Sequence, residues 1–352
     1  MFRNAAAPVW ATLALTIQRP EETAMKTRSR HCLLALIAAA TLAACGGGGG
    51  GGSAPTVDFP TTRTGAASAG ADMTTTNFPT LSTRAVDSLL ATIGGDLALS
   101  QPLSASRANA ASLGRWAARR SAASIGSASR KQGLAVDSET FSCSVSGFLT
   151  VTVNDADNNN VLTAGDSASF DFDDCVETGT PAINGGFALV FNALVLNSQQ
   201  EPTAFDASVT MTALTVEGLG SLDGDARLWV APVTGGERSF VRYQRMASVT
   251  AGVTSVLDFD VDGTSTGTTS TSRVNGNLQL GAQVYAVTQV SAFDTSNGDP
   301  SSGRLRITDA QGDRLLITAR GTLVDREFFL AGNTTGTPDA ALIGTPWSAF
   351  RQ

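Results

Sequence analysis

Histidine is nearly absent from this sequence: one residue, His31, serves 352 positions. It lies inside an apolar leader, residues 25–44, so the chain beyond that leader has none. That removes Ser-His-Asp and Cys-His nucleophile systems, histidine-ligated zinc and the commonest general base. Lysine is almost as scarce, with Lys131 the single one after residue 44. Tyrosine occurs twice, too seldom for the aromatic girdles of a membrane-spanning barrel. The apolar run at 33–44 has twelve residues, whereas a membrane-spanning helix needs about 20. Basic charge is lacking where nucleic acid would require it: residues 136–352 carry eleven basic and twenty-five acidic side chains. Such a domain repels polyanions and is compatible with cations.

What is present starts with an address. "MKTRSRHC" holds Lys26, Arg28 and Arg30, and "LLALIAAATLAA" follows it. A basic head, a short apolar core and small terminal residues describe a secretory signal peptide over 25–44. Residues 1–24 place two glutamates and two prolines upstream of this complete leader. Translation is therefore expected to start at Met25, with 1–24 an upstream mis-start. Leu42-Ala43-Ala44-Cys45 resembles the lipobox of bacterial lipoproteins. The resemblance implies cleavage before Cys45, diacylglycerol on its sulfur and acylation of the new N-terminus. Gly46 stands where an aspartate would imply retention in the inner membrane, so the expected location is the outer membrane. Whether the domain faces the periplasm or the outside stays open. Several acyl chains anchor stably where one binds only marginally.

Seven glycines follow Cys45, and residues 45–79 are rich in Gly, Ala, Thr, Ser and Pro. This composition reads as a flexible tether. Within 80–135, Leu81, Ala85, Val86, Leu89, Leu90 and Ile93 recur at helical spacing. Ser82 or Thr83 is the expected cap, and Gly94-Gly95 the expected stop. A second helix is expected near Ser104–Ile125, bearing Arg115, Arg119 and Arg120. Cys143 and Cys175 remain unlipidated, and in an exported protein two such cysteines most simply form one disulfide.

From Phe141 the period becomes two. In "FSCSVSGFLTVTVND" Phe141, Cys143, Val145, Leu149, Val151 and Val153 share a side, with Ser and Thr opposite. "SASFDFDDC" and later segments repeat the pattern, separated by "DG", "NG", "SNGDP" and "DAQGD" turn signals. Ten or eleven strands without helical spacers predict a mainly β domain over 136–352. An antiparallel meander forming a barrel or half-barrel is favoured, a β-sandwich being the alternative. One or two short helices precede it. "TSTGTTSTS", residues 264–272, reads as a polar connection.

One loop stands out. "DADNNNVLTAGD" places oxygen donors at positions 1, 3, 5 and 12: Asp155, Asp157, Asn159 and Asp166. The run resembles the calcium loops of EF-hands and dockerins, whose last position is acidic. The resemblance implies ligation by these four side chains and the Val161 carbonyl, with Thr163 acting through water. The plain alternative is an Asx-rich turn without metal. "DFDVDG" sets Asp258, Asp260 and Asp262 on one face of a strand, either a wet sheet face or a carboxylate pair for glycoside hydrolysis.

Three function classes compete. The favoured one is a lipid-anchored cell-envelope protein with a non-catalytic structural or protein-binding role. Its partners would be the membrane, through lipid, and another envelope protein. A small-ligand carrier with a barrel cavity comes second. Third is a carboxylate-dependent hydrolase of envelope polymer, with Trp229 or Tyr243 lining its cleft. In style the chain resembles the β-rich lipoproteins of Gram-negative bacteria.

Overall fold

Alternating polarity is obeyed along nearly the whole chain after residue 135. The computed structural model describes residues 57–93, 110–128, 136–178, 182–198, 201–217, 220–250, 253–266, 269–296 and 299–350. Two helices come first, α1 (Phe78–Ile93) and α2 (Ala110–Ala128). Then come β1 (Val136–Ser142), β2 (Ser146–Asn154), β3 (Ser167–Val176), β4 (Ile183–Leu196) and β5 (Pro202–Val216). The series continues with β6 (Gly220–Val233), β7 (Gly236–Thr250), β8 (Val253–Thr266), β9 (Thr269–Leu280) and β10 (Gln283–Ser296). It ends with β11 (Asp299–Thr308), β12 (Arg314–Arg320), β13 (Leu323–Phe329), β14 (Ala340–Pro346) and a 3₁₀ turn, Trp347–Phe350.

Each strand pairs antiparallel with its sequence neighbours, and the order runs from β1 to β14 without a crossover. The fold is the expected meander, built as one open sheet. Among the described residues β1 and β14 do not pair with each other, as in a half-barrel rather than a closed barrel. None of the described helices is long and apolar enough to cross a membrane. Two strands escape period-two reading. In β7 Phe240 and Val241 are buried in succession, and a register shift between Arg242 and Met246 with Arg245 at φ 56° breaks the alternation. β14 is an edge strand, "AALIGTP", with no buried residue to set a period.

The register lines up one apolar face across the sheet. Val151 opposes Phe170, Phe170 opposes Phe187, and Phe187 opposes Met211. Farther along, Leu228 opposes Val241 and Val241 opposes Val261. Ile307 opposes Leu315, which opposes Phe328. Both helices seat on this inner face. α2 packs on β1–β3 and β5–β7, with Trp116 against Phe170 and Arg120 over the Phe141 ring. α1 packs on β8, β9 and β12, with Phe78 stacked on Phe328.

Helix α1 begins at Phe78, and Ser82 and Thr83 do not cap it. Their hydroxyls donate to the Pro79 carbonyl and accept from Arg326 of β13. Entry is set by Thr74 and Asn77, whose side chains each accept the other's backbone N–H. Gly94-Gly95 and residues 104–109 lie outside the described residues. Residues 57–77, whose composition reads as tether, lie against the sheet. Arg63 donates its backbone N–H to Asp260 at 2.8 Å, and Ala66 donates to Asn277 at 2.8 Å. Gly65 crosses so close that a Cβ there would stand 1.8 Å from the Gly276 carbonyl oxygen. Ser68 then pairs with Val284 through its backbone, and Met73 donates to Asp309. The segment therefore starts on the outer face, rounds the end of β10 and delivers α1 to the inner face. "TSTGTTSTS" is likewise no mere connection. Thr264–Thr266 and Thr269–Ser272 extend β8 and β9, and Thr264 opposes Thr271. Ser and Thr suit strands whose outer face is exposed.

Candidate functional site

Asn154 and Ser167 form the last rung of the β2–β3 ladder. The twelve residues between them close on themselves, so loop positions 1 and 12 meet at the base. Asp166 is fully buried there, Asp155 is nearly so, and Asp157 is exposed. Leu162 is buried as well and roots the loop in the core. One carboxylate oxygen from each of Asp155, Asp157 and Asp166 lies within 4.8 Å of the others.

The loop's own N–H groups converge on these oxygens. Asp155 accepts from Asn159 at 3.2 Å and from Asn160 at 2.7 Å. Asp166 accepts from Ala156 at 2.9 Å and from Thr163 N–H at 2.6 Å. Asp157 accepts from the Asn159 backbone and from its side-chain amide. The charge is thus partly balanced by backbone dipoles. Asn158 and Asn160 take φ of 55° and 61°, a conformation asparagine tolerates better than most residues. The loop end is tied to β4, since Gly165 and Phe191 donate to the Phe191 and Asp166 carbonyls.

Of the five expected ligands, the fold gathers the three aspartates. The Asn159 side-chain oxygen is turned to the Val161 N–H at 2.7 Å instead. A hard cation takes six to eight oxygens. Both Asp155 oxygens, Asp157 Oδ1 and Asp166 Oδ1 each accept one bond and keep a lone pair that a cation could use, whereas Asp157 Oδ2 and Asp166 Oδ2 each accept two.

The other end of the same hairpin holds the disulfide. Cys143 bonds Cys175 with a Cα–Cα distance of 5.5 Å across 32 residues. Cys143 N–H donates to Gly147, and Val145 N–H to Val176. The β2–β3 hairpin is therefore pinned at both ends.

The Asp258, Asp260 and Asp262 stripe shares one face, as alternation requires, with Phe259 and Val261 buried on the other. It is neither a wet face nor a free carboxylate pair. Asp260 is fully buried beneath Arg63 and Arg242, and Arg242 grips it at 2.9 Å through both Nε and Nη2. Asp258 pairs with Arg63, and Asp262 with Arg238 at 2.9 Å. Trp229 is buried edge-on to Phe240 under Arg227. Tyr243 is buried on the inner face against Phe259, and burial pushes its hydroxyl far up. Neither ring lines a cleft with these carboxylates.

Sequence reasoning missed three polar groups of the fold. Asp309 collects N–H bonds from Gln311, Gly312 and Asp313 on one oxygen and from Met73 on the other. The "DAQGD" turn signal located this residue but not its remote partner. Arg326 sits on the apolar face of β13, 5% exposed, bonded to Ser82, Thr83 and Thr345. Asp87 of α1 lies in its field, and burial pushes that carboxyl up to about 6, with Arg326 partly opposing. Cys45, the leader and residues 1–24 lie outside the described residues. No protein-family model, no curated protein and no solved structure matches the chain.

Proposed function

We propose that this chain is a lipid-anchored protein of the outer membrane, held through Cys45, with a non-catalytic structural or protein-binding role. The observation that carries the reading is the filling of the inner face. Phe170, Phe187, Phe191, Phe205, Met211 and Phe328 are buried there, and α1 and α2 lie over it. A carrier needs that volume empty. The hydrolase reading is disfavoured because arginines occupy the aspartate stripe.

The test is to express the full chain and Cys45→Ser in a Gram-negative host with an alkyne-tagged fatty acid. The wild type should take up the label and sediment with outer membranes, and Cys45→Ser should do neither. An unlabelled, soluble wild type would overturn the anchor. Mass spectrometry of the purified chain should find no stoichiometric lipid or other small molecule; finding one would favour the carrier.

A cation at the β2–β3 loop belongs to the same proposal, supported by the convergence of Asp155, Asp157 and Asp166. Its role would be to hold the hairpin end opposite the disulfide. Melting curves in calcium and in chelator test it. A calcium-dependent rise that disappears in Asp157→Ala supports a cation-stabilised module. Identical curves reduce the loop to a turn.

A further inference from the structure

Of the register shifts along the meander, the longest lies between β9 and β10. Val287 of β10 pairs with Gly276 of β9, and the next rung is Phe293 with Ser272. Five residues of β10 therefore face three of β9. Bulges of this kind bend a strand and re-aim its side chains, and they are frequent beside binding sites. Gln289 repairs the broken ladder. It accepts the Val274 N–H at 2.7 Å, and its own N–H donates to Asn275 at 3.0 Å. Its amide donates to the Arg304 carbonyl at 2.9 Å. The gap is thus stable as built, and beside it the outer face dips into an open depression of about 380 Å³.

Arg238, Asp262, Thr264, Thr271, Arg273 and Ala292 line this depression. Arg238 is held by Asp262 through Nε at 2.9 Å and Nη2 at 3.0 Å, and its flat side is covered by Phe59. That pair is electrically neutral and rigid. Arg273 stands opposite Asp262 in the ladder, is exposed, and makes no ion pair or hydrogen bond among the described residues. Thr264 and Thr271 present hydroxyls with no protein partner among the described residues. The lining thus offers one unspent cation, several O–H and N–H donors, and carboxylate oxygens with a spare lone pair. Its wall is more polar than apolar, the apolar part coming from Ala292 and the threonine methyls.

We propose that this depression binds an anionic saccharide: a sugar ring carrying one carboxylate or phosphate. Arg273 takes the anionic group, because guanidinium matches both oxyanions in a forked geometry. Thr264, Thr271 and Asp262 take ring hydroxyls, each of which is donor and acceptor at once. The volume falls within the range of small-molecule sites, about 300–1,000 Å³. The single net charge at the site selects one anionic group, while the acidic domain around it excludes polyanions. The polar majority of the wall suits a hydroxylated ring better than a lipid tail, and no aromatic side chain lines it.

Calorimetric titration of the full chain in detergent tests this. The probes are galacturonate, glucose 6-phosphate, glucose and inorganic phosphate. One of the two anionic sugars should bind with a dissociation constant on the order of 1 mM. Glucose and inorganic phosphate should each bind about tenfold more weakly, having lost one set of charge-assisted or hydroxyl bonds. Arg273→Gln should weaken the sugar about tenfold without moving the melting temperature, since Arg273 makes no hydrogen bond or ion pair that the change would break. Thr271→Val, a second exposed change, should weaken it severalfold. A carboxylate-only or phosphate-only preference identifies the anionic group. Absence of saturable binding by both anionic sugars would overturn the proposal. So would unchanged binding in Arg273→Gln, or inorganic phosphate binding as tightly as the sugar phosphate.

Discussion

Two buried aspartates solve the same problem at different range. Asp166 satisfies its oxygens from Ala156 and Thr163, all within eleven residues of one loop. Asp260 satisfies its own from Arg242 in the next strand and from Arg63, 197 residues earlier. Both are completely buried, and a buried carboxylate is costly unless paired. The loop aspartate uses short-range backbone dipoles and organises a turn. The strand aspartate uses full cations and recruits the N-terminal segment to the outer face. One pin is local, and the other makes the sheet depend on the segment around Arg63.

If that contrast is right, the remote pin should cost most to break. Asp260→Ala leaves two half-buried guanidiniums facing each other and should lower unfolding free energy by about 3–5 kcal/mol, read from denaturant midpoints. It should also free residues 57–69, visible as faster amide exchange there while the β2–β3 loop stays protected. Loss of the disulfide comes next. Cys143→Ser with Cys175→Ser opens a 32-residue closure, worth about 3–4 kcal/mol in the chain-entropy account. Exchange should rise at β1–β3 and not at β8. Asp166→Ala should cost less, about 1–3 kcal/mol for the orphaned Ala156 and Thr163 N–H groups, and should leave the Arg63 contacts intact. Equal exchange patterns in Asp260→Ala and Asp166→Ala would erase the distinction between the pins.

The smallest effect belongs to Asp87. Its carboxyl is raised from 3.8 to about 6 by burial. The folded state therefore holds this proton more tightly than the unfolded one. Its contribution is fully present below pH 4 and is lost as pH rises through 6. Stability measured across that window should show a falling component that disappears in Asp87→Asn.

The local half of this chemistry was legible beforehand. Alternation from Phe141 located most strands, and "SNGDP" and "DAQGD" fall between strands as expected; the Asp-Gly and Asn-Gly pairs at 184–185, 223–224, 262–263 and 275–276 lie inside strands instead, where Gly185, Gly224 and Gly276 take positive φ. Asp155, Asp157 and Asp166 were found by spacing, since a twelve-residue loop carries its own geometry. Asn159 was assigned an oxygen ligand, yet its oxygen meets Val161 N–H; spacing cannot decide which end of an amide faces inward. β7 and β14 were missed for different reasons, one broken in period by consecutive buried residues and a bulge, the other bare at an edge.

By itself, then, the sequence determined the antiparallel β class, the cysteine pair and the loop carboxylates. Period-two polarity, cysteine scarcity and short spacing are local properties, readable without knowing what lies across the sheet. Tertiary structure decided what the aspartate stripe of β8 does, where residues 57–77 run, and that the helices lie over the inner face. It also decided that the β10 bulge leaves Arg273 unspent beside a neutral Arg238–Asp262 pair. Those outcomes depend on which groups meet across some two hundred residues. A charge pattern in one strand is silent about that until burial forces every ion to find its partner.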